Sequence, residues 1–334
     1  MPSYYFVKLG WIAAILFSAF LFPLTRRSSL AAVHASNSGF TPSYTPVAVF
    51  VGGTSGIGQG VAEAFARHTH GNAHIIIVGR NHAAAQSIIE RFPKPAVTTG
   101  ITHEFIECDV TRMRNVQAVT REILTRVPKV NFLVMTPGIA TLKGRDETEE
   151  GIDKKLALHY YARWKFTNDL IPAILGAKDA GEDAKVLSVM SAGRGGKIDL
   201  GDLGLKETYS LRNVAQAAPV YNDLMMEEFS MRYPQLTFVH AYPGPVRTPL
   251  MKTSDSVLIR AAAYIVRPLF STVMFSPEYT GEFMLHGLLN STQGFKRIGS
   301  TGEDMGMKNY YGSELARRRL WEHTVNETRV PNIS

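Results

Sequence analysis

The sequence predicts an α/β fold, in which short buried strands alternate with helices. Short apolar runs recur along the chain, and stretches with helical periodicity follow them. The first run, residues 47–51, breaks into a glycine-rich turn, and a helical pattern begins at about Ile57. A strand, a turn and a helix in this order are a much stronger signal than the spacing of the glycines alone.

The turn carries glycines at positions 52, 56 and 58. Residues without a Cβ let the backbone turn tightly and approach a ligand that a side chain would push away. The helix that follows offers unpaired N–H groups and a positive dipole end to a pyrophosphate. The turn therefore predicts a nucleotide-binding loop, and a purely structural glycine turn in another α/β protein is the alternative.

The spacing Gly-x-x-x-Gly-x-Gly resembles the nucleotide loop of the short-chain dehydrogenase/reductases. The resemblance extends over about residues 45–300 and looks closest to divergent fungal members among the secondary-metabolite reductases. It implies a Rossmann-like, doubly wound, mainly parallel sheet in a three-layer α/β/α arrangement. It also implies that the cofactor contacts loop residues Gly52, Thr54, Ser55, Gly56, Ile57 and Gly58.

The other elements follow in chain order. The further apolar runs predict strands at residues 74–78, 104–107, 132–135, 186–190, 237–241 and 295–298. The helical patterns predict helices at residues 57–68, 83–91, 113–126, 150–175 and 277–289. The last thirty or so residues are predicted to form a peripheral helix and a loose end.

The second strand is followed by Arg80, where a dinucleotide fold faces the adenosine ribose. An acidic residue there would repel a 2′-phosphate, whereas a guanidinium binds it through two hydrogen bonds. Arg80 therefore indicates NADP(H), and an exposed arginine at a helix start is the alternative. The resemblance places Asp109 and Val110 beside the adenine ring, and Asp109 is equally suited to cap the next helix.

Candidate catalytic residues lie at the ends of the fourth and fifth strands. Ser191 follows the fifth strand, at the edge where open parallel sheets bind ligands. By resemblance it is the serine that hydrogen-bonds the substrate carbonyl. His159 stands where most of the family has an asparagine that helps relay protons, and it either relays a proton or is an ordinary polar residue. Gly138 is kept in a Thr-Pro-Gly turn where the family usually has Asn-Asn-Ala-Gly.

The family's Tyr-x-x-x-Lys motif is only partly present. Tyr209 matches the tyrosine that delivers the proton, but Asn213 replaces the lysine that holds the nicotinamide ribose and lowers the tyrosine pKa. A neutral amide can hydrogen-bond the ribose but cannot supply the charge. Lys197 or Lys206 is a candidate to reach in, and Tyr221 is a second, less suitable tyrosine.

The sixth strand runs into a Pro-Gly turn that matches the family's Pro-Gly-x-Val-x-Thr. In the family this turn holds the nicotinamide carboxamide, which implicates Pro243, Gly244, Val246 and Thr248. A structural proline turn is the alternative. Residues 250–275, rich in apolar side chains, stand where the family has a mobile substrate lid. They are expected to line an apolar pocket, lie against a bilayer or pack in the core.

The amino terminus predicts a membrane anchor. Residues 9–24 carry no charge, and the segment extended towards the N-terminus is long enough to cross a bilayer. Arg26 and Arg27 follow it and mark a cytosolic flank. A cleaved signal peptide is the alternative, supported by glycosylation sequons at Asn290 and Asn326. The predicted organisation is a transmembrane anchor at 1–27, a linker at 28–44, a cofactor-binding domain at 45–300 and a C-terminal helix and tail at 301–334.

Composition argues against other function classes. The net charge of +7 is spread along the chain, so nucleic-acid binding is not expected. A single cysteine, Cys108, excludes an internal disulfide framework. The ten histidines show no ligand spacing, so no metal site is predicted. A homo-oligomer is left open.

The resemblance implies a membrane-tethered enzyme that transfers a hydride between NADP(H) and a carbonyl or alcohol carbon. The expected substrate is small and apolar, of polyketide, terpenoid or lipid type. A second hypothesis is a cofactor-binding scaffold or sensor without redox chemistry, which the asparagine at position 213 favours. A third is a lyase or cyclase that reuses the acid/base pair without hydride transfer.

Overall fold

A computed structural model describes residues 29–95, 101–270 and 274–331, with the side chains of 265–270 excepted. The predicted anchor, residues 1–27, lies outside the described residues. Within the described ranges, every helix is too short or too polar to cross a membrane. The single-pass localisation expected from the sequence is therefore corrected, because no described helix supports it, and the expected membrane partner has no support there either.

Seven parallel strands form one sheet in the order β3-β2-β1-β4-β5-β6-β7. The strands are β1 (Val47–Val51), β2 (His74–Gly79), β3 (His103–Glu107), β4 (Phe132–Met135), β5 (Lys185–Val189), β6 (Thr237–Ala241) and β7 (Gly294–Ile298). The strands β2 and β3 are added on one side of β1. The chain then crosses back, and β4 to β7 are added on the other side of β1. In such sheets the crevice at the carboxyl ends of the strands, beside this reversal, is where ligands bind.

Helices cover both faces of the sheet, which confirms the Rossmann-like α/β class. They are α1 (Leu30–Ser38), α2 (Gly56–His68), α3 (His82–Glu90), α4 (Met113–Arg126), α5 (Lys154–Leu156), α6 (Ala162–Asp179), α7 (Leu211–Arg232), α8 (Val257–Phe270), α9 (Pro277–Asn290) and α10 (Glu314–Glu327). Alternate residues of β1 enter two apolar clusters, with Val49 packed towards α4, α6 and α7, and Phe50 packed towards α2 and α9. This period of two is what a strand buried on both faces produces.

Two boundaries differ from the sequence prediction. The predicted linker, residues 28–44, contains α1, which Ser29 caps through its side chain and which buries Val33 against the domain. The helix predicted at residues 150–175 begins at Lys154 and passes through a π-helical turn, Ala157–Tyr161, into α6.

The helix α2 packs closely against α9 through two glycines. A Cβ at Gly60 would collide with the backbone carbonyl of Pro277, and one at Gly281 would collide with the backbone of Gly60. The two backbones therefore approach each other in a way that any side chain would prevent. Because α2 starts in the glycine-rich turn, this contact sets the position of that turn.

We expect Gly60→Ala to destabilise the protein. The added methyl group meets backbone atoms rather than a flexible side chain, so α2 and α9 must separate, which typically costs about 1–3 kcal/mol. Urea unfolding followed by circular dichroism measures the loss. Gly144→Ala is the matched control, because a Cβ there meets nothing within 4 Å, and equal stability of the two variants would contradict the packing argument.

Candidate active site

The glycine-rich turn lies at the carboxyl end of β1 and packs against the turn after β4. Gly52 has a φ of +82°, and a Cβ there would lie 2.9 Å from the Pro137 nitrogen. The Thr136 hydroxyl donates to the Gly52 carbonyl at 3.3 Å, and Gly58 leaves no room for a Cβ beside the same hydroxyl. The predicted loop therefore occupies the expected edge of the sheet, and Thr136 holds it there.

The Pro-Gly turn after β6 meets this loop directly. Gly56, with a φ of +58°, would place a Cβ 3.1 Å from the methyl group of Thr248. Gly244 also has a positive φ, and the residues around Val246 pair with Phe275 through backbone hydrogen bonds. The structure thus brings together two segments that the sequence predicted separately. Between these segments, the glycine backbone is uncovered by side chains. Its N–H groups and those at the start of α2 are suited to bind the phosphates of a dinucleotide.

Arg80 is exposed at the end of β2, beside the loop. The Thr54 side chain packs against Gly79, and a Cβ at that glycine would lie 2.8 Å from the Thr54 methyl group. Asp109 does not cap α4, because the N-cap is Arg112. Its carboxylate instead accepts hydrogen bonds from the Thr111 backbone and hydroxyl. The adjoining Val110 is buried.

His159 lies in the π-helical turn between α5 and α6. Such turns occur frequently at functional sites. The Ile139 backbone N–H donates to His159 Nε2 at 3.1 Å, so the ring proton lies on Nδ1. Burial, together with the charges of Arg163 and Lys155, lowers the pKa of His159 to about 3. The imidazole is therefore neutral at physiological pH, and it lies 3.4 Å from where a Cβ at Gly138 would be.

A buried arginine joins the carboxyl ends of β4 and β5. Arg163 donates to the Met135 and Val189 carbonyls and to the Ser188 hydroxyl. Its second terminal nitrogen donates to the Pro137 carbonyl at 2.6 Å. Burial lowers the pKa of Arg163 to about 9, which leaves the guanidinium charged at neutral pH. No sequence motif indicated this residue.

Ser191 directly follows β5, and a series of hydrogen bonds between buried polar side chains holds its backbone. The Ser191 N–H donates to His240 Nε2 at 3.4 Å, and His240 Nδ1 lies 2.6 Å from an Asp223 oxygen. Arg297 donates to the same oxygen at 3.0 Å. The position of Ser191 is therefore set by α7 and β7 as well as by its own strand.

Tyr209 is paired with a lysine that the sequence analysis missed. Lys155 Nζ donates to the Tyr209 phenol oxygen at 2.7 Å and to the Lys143 carbonyl at 2.9 Å. Asp153 caps the start of α5 by accepting a hydrogen bond from the backbone N–H of Lys155. This cap fixes the backbone position from which the lysine side chain extends. Lys155 lies 54 residues from Tyr209, so no local spacing connects them.

The residues proposed to support Tyr209 lie elsewhere. α7 begins at Leu211, so Tyr209 precedes the helix, and the Asn213 side chain donates back to the Thr208 carbonyl. The structure therefore turns Asn213 towards the preceding loop. The alternative candidates have other surroundings: Lys197 is exposed, Lys206 pairs with Glu327, and the buried Tyr221 hydroxyl donates to the Leu203 carbonyl.

The surroundings of Tyr209 keep it protonated. Burial raises the pKa of Tyr209 well above its usual range, and the negative charge of Asp153 adds to this. Burial lowers the pKa of Lys155, against the opposing charges of Asp153 and Asp146. The contact with Lys155 nevertheless stabilises any negative charge that develops on the phenol oxygen.

The chain resembles known proteins in sequence and fold. A family model described as short chain dehydrogenase matches residues 46–197. The chain is 39% identical to Oxidoreductase AN1596 of Emericella nidulans, over 68% of this chain and 66% of that protein. It is 30% identical to Oxidoreductase andH of Emericella variicolor, over 77% of this chain and 74% of that protein. The fold matches the crystal structure of an uncharacterized protein from Mycobacterium paratuberculosis with a TM-score of 0.63 and 17% identity, over 87% of this chain and 96% of that one.

We expect His159→Gln to make the free energy of unfolding less dependent on pH in the acidic range. Because the pKa of His159 is about 3 when folded and 6.5 when unfolded, the unfolded chain binds more protons between these values, and stability falls as pH drops below about 6.5. Between pH 7 and pH 5 this removes about 1–2 kcal/mol from the wild type but not from the variant. Urea unfolding at both pH values measures the difference.

The exposed His70 provides the control. His70→Gln should leave the difference between pH 7 and pH 5 as it is in the wild type. If His159→Gln also leaves it unchanged, the imidazole is not held in its neutral form.

Proposed function

Because the chain belongs to the short-chain dehydrogenase family, we propose that it is an NADP(H)-dependent oxidoreductase acting on a carbonyl or alcohol group of an apolar small molecule. The observation that carries this proposal is the 2.7 Å contact between Lys155 Nζ and the Tyr209 hydroxyl. It gives the phenol a cationic partner although the family's lysine is missing at position 213. NAD(P)(H) is the cofactor of this family, and it supplies or accepts the hydride when bound.

The residues that hold the cofactor come from three segments. Residues 52–58 offer backbone N–H groups and the start of α2 to the pyrophosphate. Arg80 stands at the end of β2, where its guanidinium suits a 2′-phosphate. The turn from Pro243 to Thr248 borders the loop at Gly56 and suits the nicotinamide end.

The protonated Tyr209 is the proton donor in the reductive direction. As the carbonyl carbon gains a hydride, its oxygen takes the phenol proton, and the negative charge passes to the phenol oxygen. Lys155 stabilises that charge from 2.7 Å away. Ser191, held through His240, hydrogen-bonds the same carbonyl oxygen and polarises it. In the oxidative direction the same groups remove the proton.

His159 and Asn213 have supporting roles in this proposal. His159 holds the turn that carries Gly138 and Ile139, since its Nε2 accepts from the Ile139 N–H. Asn213 orders the backbone just before α7, since its amide donates to the Thr208 carbonyl. It therefore positions the segment that carries Tyr209 and does not replace the missing positive charge.

An apolar substrate is supported by the segment around α8. Ile259 and Ala263 are buried, while Val257 and Tyr264 are largely exposed. The loop before this helix is linked to the site, because Asp255 pairs with Lys143 at 2.8 Å. The Lys143 carbonyl in turn accepts from Lys155. Tyr209 is thus connected to the loop before α8 through Lys155 and Lys143. The apolar side chains of α8 would give a polyketide-, terpenoid- or lipid-like molecule apolar partners.

We expect Tyr209→Phe to abolish turnover while NADPH binding is retained. Loss of a positioned acid typically costs about 10²–10⁴-fold in rate. Lys155→Met should also lower kcat, because the charge left on the phenol oxygen loses its cationic partner. The assay follows NADPH oxidation with a panel of apolar ketones, using the full chain, and calorimetry measures NADPH binding to each variant.

Lys206→Met and Tyr221→Phe are the matched controls. Both residues were candidates from the sequence, and both have partners elsewhere in the fold. They should retain the wild-type kcat. Full activity of Lys155→Met would refute the role given to that lysine.

We expect Arg80→Gln to lower the affinity for NADPH about tenfold to a hundredfold and to leave the affinity for NADH unchanged. A hydrogen bond to a charged group contributes about 1.5–3 kcal/mol, and only NADPH has the phosphate that Arg80 would bind. Calorimetric titrations with both nucleotides measure the two affinities. Arg121→Gln, which changes an exposed arginine on α4, should alter neither of them.

A second candidate function is cofactor binding without redox chemistry. It is favoured by Asn213 and by the raised pKa of Tyr209. Under this alternative NADPH binds, no ketone in the panel is reduced, and Tyr209→Phe changes nothing. Failure to bind either nucleotide would exclude both functions.

A further inference from the structure

Three potential metal ligands converge where α1, α2 and α9 meet. They are His34 on α1, His68 on α2 and Glu282 on α9, and their donor atoms all lie within 4.8 Å of one another. His34 Nε2 is 3.3 Å from one carboxylate oxygen, and His68 Nε2 is 2.9 Å from the other. The three residues are far apart in the chain, so sequence spacing did not indicate the group.

We propose that His34, His68 and Glu282 bind a divalent metal ion, for which Zn²⁺ is the best-suited candidate. Two imidazole nitrogens and a carboxylate are a ligand set that Zn²⁺ accepts, with a water molecule as the fourth ligand. Bonds of about 2.0–2.2 Å in a tetrahedron place neighbouring ligand atoms about 3.3–3.6 Å apart. The 3.3 Å distance from His34 to the carboxylate matches that spacing, whereas the 2.9 Å distance from His68 to the other carboxylate oxygen is shorter, so these two groups must move slightly apart to accept the ion.

The surroundings orient the ligands. The Ser38 hydroxyl lies 3.2 Å from His68 Nδ1, which leaves Nε2 to face the carboxylate. A partner on the second ring nitrogen is typical of histidines that bind metals. The side chains of His68 and Glu282 are 4% and 3% exposed, whereas that of His34 is 44% exposed. The group is therefore fixed on its inner side and open to solvent, and to a water ligand, on its outer side.

Asn37 supplies a second, independent observation. Its side-chain nitrogen donates to a Glu282 carboxylate oxygen at 2.8 Å. Its side-chain oxygen is buried and has no hydrogen-bond partner among the described residues. An unsatisfied buried acceptor is costly, so the polar group around Glu282 is incompletely satisfied by the described residues alone.

Arg67 is the competitor for the site. Its guanidinium contacts the same Glu282 oxygen that faces His34. The Arg67 side chain is 45% exposed, so it can turn to solvent when a metal ion binds. A metal site and a simple ion-pair network therefore make opposite predictions for Arg67. Its removal should strengthen metal binding, whereas in an ion-pair network it would only remove a contact between α2 and α9.

The bound ion would connect three elements. His34 belongs to α1, His68 to the end of α2, and Glu282 to α9. The role we infer is structural, because the ion would hold α1 against the two helices beneath it. The inference does not depend on the proposed enzymatic function.

The test is a calorimetric titration of the full, untagged chain with Zn²⁺, together with thermal unfolding with and without the metal. We expect one ion per chain and a Tm that rises with Zn²⁺ and falls again with EDTA, because a ligand that binds only the folded state stabilises it. His34→Ala should weaken binding at least tenfold and remove the rise in Tm. Arg67→Gln should tighten binding, and His286→Ala, on the same helix as Glu282, should change nothing.

His34 is partly exposed, so His34→Ala is expected to fold, and circular dichroism checks this. Glu282→Gln keeps the shape of the side chain and removes its charge, and it should lose binding as well. The proposal is overturned if Zn²⁺ does not bind, or if it binds equally well to the wild type, His34→Ala and Glu282→Gln.

Discussion

The candidate active site lies at the carboxyl ends of the strands, and the geometry of this edge of the sheet depends on one buried guanidinium. Carbonyl groups just beyond the ends of β4 and β5 need donors once the sheet ladder has stopped. Arg163 meets several of them at once, because a guanidinium carries five N–H groups in a fixed plane. It joins Pro137, in the turn beneath the nucleotide loop, to Val189, two residues before Ser191. Without it, these acceptors would be buried and unpaired, which is costly in free energy.

The sheet could be predicted from the sequence because its signals are local. Parallel strands covered on both faces appear as short apolar runs, and glycines mark the turn that no side chain would fit. The helix α1 could not be predicted in this way. Its segment is rich in small and polar residues, and it is ordered by Val33 and Asn37 against α9, about 245 residues further along the chain. Only the folded arrangement reveals that contact.

The candidate catalytic residues differ in the same way. Ser191 could be proposed from the sequence because it follows a strand, and Tyr209 because it stands at the expected distance from the Pro-Gly turn. Lys155 was not, because its contact with Tyr209 is set by the Asp153 cap and by the path of the chain between two distant segments. A phenol responds to a nearby positive charge whichever element supplies it. The asparagine at position 213 therefore does not by itself decide whether Tyr209 works as an acid.

The helix α2 connects the nucleotide loop to the cluster of His34, His68 and Glu282. Its first residues lie at the proposed cofactor site, and its last residue, His68, belongs to the cluster, about 20 Å away along the axis. Between them, Gly60 lies against the backbone of Pro277 with no space for a side chain. Because packed backbones resist sliding, this contact holds the middle of α2 on α9. Binding of a metal ion at the cluster would therefore act on α1. The glycine-rich turn would keep its position, because α9 holds the middle of α2.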